Sequence, residues 1–202
     1  MSFLKKLFKS KEPTNNNAEK KPKIKLSLDD AFVNNFISKG GKFLYCISEK
    51  EVVSNLDKII SENNWEIITC FDKTLKNLLN KSNVNLQEEV DSNKPFFTSC
   101  EHLISDNGDI LFSSNQLSTH KLAALTNDFI VFAKTSQFVK DTGEGLTGIK
   151  TNCKDGTIPT NISAVKKYSL KIDDDNFLNY GNNNSKNLYL SLIHISEPTR
   201  PY

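Results

Sequence analysis

The chain has 202 residues, 37% of them hydrophobic, with 26 lysines and arginines against 24 aspartates and glutamates and a net charge of +2. That length is one domain, or one domain with tails; the charge balance excludes a polyanion-coating protein, and no stretch is long and apolar enough to span a bilayer. The charge is uneven: residues 1–28 hold eight lysines and two acids, whereas residues 29–190 hold 17 basic and 21 acidic residues, which argues against nucleic-acid recognition by the folded body.

In chain order, Phe3, Leu4, Leu7 and Phe8 would fall on one side of a helix, largely opposite Lys5, Lys6 and Lys9. This reads either as a short membrane-surface or partner-docking helix or as a frayed terminus too short to hold helix alone. Residues 9–28 have almost nothing to bury and read as a disordered basic leader. The body follows over residues 29–190. Lys42–Ile47 is a short apolar run that predicts a strand, and Ser48 with Glu51 has the form of a capping box opening a helix through Val52, Leu56, Ile59 and Ile60. Glu66–Phe71 predicts a second strand, and Asp72 caps a helix carrying Leu75, Leu78 and Leu79. This alternation points to an α/β fold with a mostly parallel sheet.

Further on, Leu103-Ile104 and Ile110–Phe112 flank Ser105–Asp109, whose Asn107-Gly108 dipeptide predicts a β-hairpin. Phe129–Ala133 is another strand. The pattern then predicts a helix opened by Ser136, carrying Phe138, Val139, Leu146 and Ile149 and interrupted by Gly143 and Gly145. A last pair, Val165–Ile172 and Leu188–Leu190, would close the sheet. Residues 191–202 continue a string, LSLIHISEPTRPY from Leu190, that resembles a translated sequencing-library adaptor, and they are set apart as a non-native tail.

The four cysteines, Cys46, Cys70, Cys100 and Cys153, have no C-x-x-C spacing and no signal peptide before them, so free thiols in a reducing cytoplasm are expected. His102 and His120 form no H-x-x-x-H or H-E-x-x-H pairing, so no metal site is expected; a dyad of Cys100 with His102 is disfavoured because strand neighbours point to opposite faces. G-x-G-x-x-G and G-x-x-x-x-G-K-[ST] are also missing from the sequence.

The run LISDNGDILFSSNQ, then NDFIVFAKTSQFVKDTGEGLTGI and IPTNISAVKKY, resembles the lactate-utilisation (LUD) domain family over roughly residues 29–190, and within it short relatives of the C subunit. The resemblance implies a Rossmann-like α/β domain of the type shared with CoA transferases, sugar-phosphate isomerases and formyltetrahydrofolate cyclo-ligases. It also implies a bacterial cytoplasmic accessory subunit in L-lactate oxidation to pyruvate, with iron–sulfur centres on partner chains and no cofactor in this one. The alternative it carries is a stand-alone CoA-transferase- or isomerase-like enzyme acting on a small anionic metabolite. The family's acidic-Gly hairpin falls on Ser105–Asp109, its Gly-Pro-Ser segment near Ile158–Ser163 without the glycine, and its late Gly-x-His-Gly-Pro loop near Tyr180–Asn184 without the His and Pro.

Three places can carry chemistry. Asp106, Asn107, Gly108 and Asp109 either bind a ligand or simply make a tight turn. Ser113, Ser114, Asn115 and Gln116 either capture an anion or cap a helix. Glu144 between Gly143 and Gly145 is either a base or nucleophile at a close backbone approach or a helix kink or cap. The catalytic candidates are therefore Glu144, Asp106 and Asp109, and Pro159 and Gly181 join the ligand-binding candidates through the family loops.

Overall fold

The computed structural model describes residues 26–82, 84–153, 156–168 and 184–194. It contains five α-helices and ten strands among those residues: α1 (Leu28–Ser38), β1 (Lys42–Cys46), α2 (Glu49–Glu62), β2 (Ile67–Thr69), α3 (Lys73–Leu79), β3 (Asn85–Gln87), β4 (Phe96–Thr98), β5 (His102–Ile104), β6 (Asp109–Phe112), α4 (Ser114–Leu117), β7 (Asp128–Lys134), β8 (Phe138–Val139), α5 (Thr142–Thr151), β9 (Ser163–Val165) and β10 (Asn187–Ile193). No described helix is long and apolar enough to cross a membrane.

Six strands form an all-parallel sheet in the order β1-β10-β7-β4-β2-β3, and four form a second sheet in the order β8-β5-β6-β9. The parallel sheet is buried on both faces, as parallel sheets are, and alternate residues sort to opposite sides. Phe129, Val131 and Ala133 of β7 pack with Leu188, Leu190 and Leu192 of β10 on the side that also holds Phe32 and Phe36 of α1 and Leu103, Ile110, Phe112 and Val165 of the second sheet. Phe97, Ile130 and Ile193 face the other way, against Val52, Leu56, Ile59 and Ile60 of α2 and Leu75, Leu78 and Leu79 of α3. The far face of the second sheet, Ile104 and Leu111, is covered by Ile149 of α5. The layers therefore run α2/α3, parallel sheet, second sheet with α1, α5.

The caps are made by local chemistry. Ser48 accepts from Glu51 N–H while the Glu51 carboxylate accepts from Ile47 N–H, one residue ahead of the cap. Asp72 accepts from the N–H groups of Thr74 and Leu75. Two expectations differ from the structure. The predicted helix opened by Ser136 is a 3-10 turn, Thr135–Gln137, followed by β8, because Phe138 and Val139 pair with Leu103 and Ile104; α5 starts only at Thr142, capped by Asp141. The predicted hairpin forms, with a four-residue loop, 105–108, closed by Gly108 N–H donating to Ile104 O and with Gly108 at positive φ (+73°). Of the last pair, Ser163–Val165 joins the second sheet beside β6, while β10 enters the middle of the parallel sheet between β1 and β7; residues 169–172 lie outside the described residues. β10 runs on through Ser191, Leu192 and Ile193, all buried.

Candidate functional site

The two sheets are joined by a bent pair of strands. β4 and β7 are neighbours in the parallel sheet, and the chains that leave their carboxyl ends become β5 and β8, neighbours again in the second sheet. The bends fall at Ser99–Glu101 and Thr135–Gln137. Gln137 holds them together: its amide NH₂ donates to Cys100 O and Glu101 O, and its Oε1 accepts from Lys134 N–H at 2.7 Å. Ligand sites of open parallel sheets form outside the carboxyl ends of the strands, and there a cleft of about 730 Å³ opens. It is walled by Glu101, His102, Ser136 and Gln137 from the bends, Ser114 and Asn115 from α4, Gly148, Ile149, Asn152 and Cys153 from the end of α5, and Thr157–Thr160 from the following loop.

Glu101 is the charged group among its lining residues. One oxygen, Oε1, accepts from Ser113 Oγ at 2.5 Å, Asn115 Nδ2 at 2.9 Å and Gln116 Nε2 at 3.2 Å. The run of hydrogen-bonding side chains after β6 does capture an anion, and that anion is the chain's own glutamate. Ser113 also caps α4, accepting from Asn115 N–H, while Gln116 Oε1 accepts from Ser113 N–H to complete a capping box. Ser114 binds the opposite wall: its N–H donates to Thr160 O and its hydroxyl accepts from Thr160 N–H. His102 meets α5 at Gly148, where an added Cβ would stand 2.7 Å from its Nε2, so a larger residue there would displace the ring. Its Nδ1 is buried without a hydrogen-bond partner. Cys153 donates its thiol to Ile149 O. Cys100, behind the cleft, is fully buried; burial and then the Glu101 charge push its thiol far above the ordinary range, so it is no nucleophile at neutral pH. Among the described residues, no group of three His, Cys, Asp or Glu side chains is placed to hold a metal ion.

Of the residues singled out from sequence, Ser114, Asn115 and Pro159 line the cleft and Ser113 braces it. The hairpin tip lies elsewhere, under the end of α1. Asp109 is buried in an ion pair with Lys39 at 2.8 Å, Asn107 Oδ1 accepts from Asp109 N–H, Asn35 Nδ2 donates to Ser105 O, and Tyr168 donates its hydroxyl to Gly108 O. Asp106 is exposed, with its N–H given to Lys140 O. Glu144 is a cap: its carboxylate accepts from Lys140 N–H at 2.6 Å and its own N–H donates to Asp141. Gly143 sits beside it in the first turn, and Gly145 packs against Ile104 and Leu111 of the second sheet. These groups face the start of α5, whereas the cleft takes its end. Gly181 lies outside the described residues. Glu101, Gln137, Asn152 and Cys153 were not singled out; the one local trace of Glu101 was a string of three donors after β6 that needed an acceptor.

No curated protein matches the chain. Among solved structures it is similar to a DUF162 family protein from Deinococcus radiodurans, with 13% sequence identity, a TM-score of 0.59, and coverage of 85% of this chain and 100% of that one, a likeness of fold. The family model of the LUD domain matches residues 30–193, a span that takes in both sheets, all five helices but for the first residues of α1, and the whole Glu101 cleft, and the chain belongs to the LUD domain family.

Proposed function

We propose that this LUD-domain chain is an accessory subunit, of the lactate-utilisation C type, in the oxidation of L-lactate or a related hydroxy acid, and that its own contribution is ligand capture at the Glu101 cleft. The observation that carries the reading is the family match over the body of the chain, together with a cleft at the carboxyl ends of β4 and β7 lined by a carboxylate that three donors hold. Electron transfer in this reading belongs to iron–sulfur partner chains in the cytoplasm, and this chain brings no cofactor. Affinity capture of the tagged protein from native extract, followed by mass spectrometry, tests it. Co-recovery of an iron–sulfur protein with a flavin- or quinone-linked partner is expected; recovery of the chain alone, or only with copies of itself, overturns the subunit assignment.

A stand-alone transferase or isomerase is the second reading. It is favoured by one observation, a carboxylate facing a cleft, and it moves the acting group from Glu144, Asp106 and Asp109, which are spent on backbone and lysine partners or lie outside the cleft, to Glu101. Turnover that Glu101→Gln abolishes and Glu144→Gln spares would support it over the first.

A further inference from the structure

The inference rests on the reading of the Glu101 cleft as a ligand site and names what enters it. Oε1 of Glu101 receives three hydrogen bonds, which fill its lone-pair directions. Oε2 makes no hydrogen bond among the described residues, and an ionised carboxylate oxygen can only accept. Oε2 therefore offers an open hydrogen-bond acceptor on a carboxylate whose other oxygen is held by three donors. The cleft that Glu101 lines also holds groups that both give and take hydrogen bonds: the Asn115 and Asn152 amides and the Ser136 and Thr157 hydroxyls. On one wall Ile158 is 52% exposed next to Pro159, an apolar surface turned to solvent beside those polar groups.

We propose that the cleft binds an uncharged polyhydroxylated small molecule, a sugar or sugar alcohol, that donates hydroxyl groups to Glu101 Oε2 and lays its C–H face on Ile158 and Pro159. A ring or short chain with several hydroxyls supplies donors and acceptors at close spacing, as this wall requires, and its C–H face is the apolar counterpart of Ile158. A cleft of about 730 Å³ lies within the size range of small-molecule sites. An anion brought to Oε2 would meet a like charge, which disfavours lactate itself at this position. A site built to hydrogen-bond hydroxyls also rejects analogues that lack them, because its polar groups are then left unpaired.

The test is calorimetric titration and saturation-transfer NMR of the full chain with ribitol and glucose, beside L-lactate and glucose 6-phosphate. Ribitol or glucose is expected to bind saturably and the two anions to bind more weakly. Glu101→Gln should weaken polyol binding at least tenfold. Its three donors would hold the amide oxygen in the Oε1 position, which places an NH₂ where the free acceptor stood, so the anchoring of α4 survives. Ile158→Asp, at an exposed position with no part in the core, should also weaken it, and it serves if the first variant does not fold. Lactate or the sugar phosphate binding while the polyols stay silent would overturn the ligand class and leave the cleft a ligand site. Polyol binding untouched by both variants would place the ligand elsewhere and overturn the inference. Silence from all four probes would overturn the cleft as a ligand site, whatever partners the affinity capture returns.

Discussion

Lys186 is 2% exposed, and its Nζ donates to Leu125 O at 2.9 Å and Thr126 O at 2.8 Å beside the face of Phe129. Burial without a carboxylate partner in the contacts described lowers its pKa to about 8. The neutral amine still has two N–H bonds, one for each carbonyl. Because the folded pKa lies below the unfolded one, the unfolded chain binds the proton more strongly between about pH 8 and 10.5, and this group's contribution to stability rises with pH through that window. Cys70, raised to about 11 by burial, and Tyr168, raised well above its ordinary value by the same cause, act in the opposite sense. The Lys186 share is therefore the difference between the wild type and Lys186→Met in urea titrations. That gap should widen from pH 8 to pH 10, on top of a loss of about 1–3 kcal/mol for leaving the carbonyls unpaired; a gap independent of pH would refute the shift. Gly108 makes a second residue-scale case. Its φ of +73° disfavours any side chain, and a Cβ there would stand 2.6 Å from the backbone nitrogen of Phe36. Gly108→Ala should cost about 2–3 kcal/mol, measured by chemical denaturation, with ligand binding at Glu101 unchanged when referred to the folded fraction.

Elements whose signals are local were legible in the chain. Ser48 and Asp72 cap α2 and α3 as their spacing from Glu51 and Leu75 implied, and the Asn107-Gly108 dipeptide marked the hairpin. The segment from Ser136 to Ile149 was not legible, for a physical reason. Phe138 and Val139 fit a helical face as well as a strand, and the contact that decides between them is the ladder to Leu103 and Ile104, some 35 residues away in sequence. The same segment left Glu144 open between a reactive group and a helix kink or cap. In the structure it closes the first turn of α5 by accepting from Lys140 N–H, and its neighbour Asp141 accepts from Glu144 N–H. Glu144→Gln keeps an acceptor at the same place, so it should lower stability by less than about 1 kcal/mol, whereas Asp141→Ala removes the cap itself and should cost about 1 kcal/mol. Thermal denaturation of both, with polyol titration alongside, checks this. A loss of binding in Glu144→Gln without a change in melting would return that residue to the functional site.

At the scale of the whole molecule, the site exists because two strands cross from one sheet to the other side by side. Glu101 meets donors 12 to 15 residues downstream and is steadied by Gln137, 36 residues away. No window of sequence holds that arrangement, which is why Ser113–Asn115 and Pro159 could be found by type and Glu101 could not. The parallel sheet has the same long-range character, since the strand between β1 and β7 is filled last in the chain: β10 pairs with β1 over Lys42–Cys46 and with β7 over Asp128–Lys134. Both pairings extend to Ile193, and Leu192 is 1% exposed against the cluster that includes Ala133 and Leu190. A strand flanked on both sides cannot take a charge at an inward position, because the carboxylate would be buried without a partner. Leu192→Asp should therefore cost more than about 4 kcal/mol and unfold the parallel sheet, seen as loss of far-UV circular dichroism at room temperature. His194, whose side chain is exposed although its N–H donates to Cys46 O, sets the contrast: His194→Ala should change stability by less than about 0.5 kcal/mol. If Leu192→Asp proved as mild as His194→Ala, β10 would end at Leu190, and the sheet would close without the three residues beyond it.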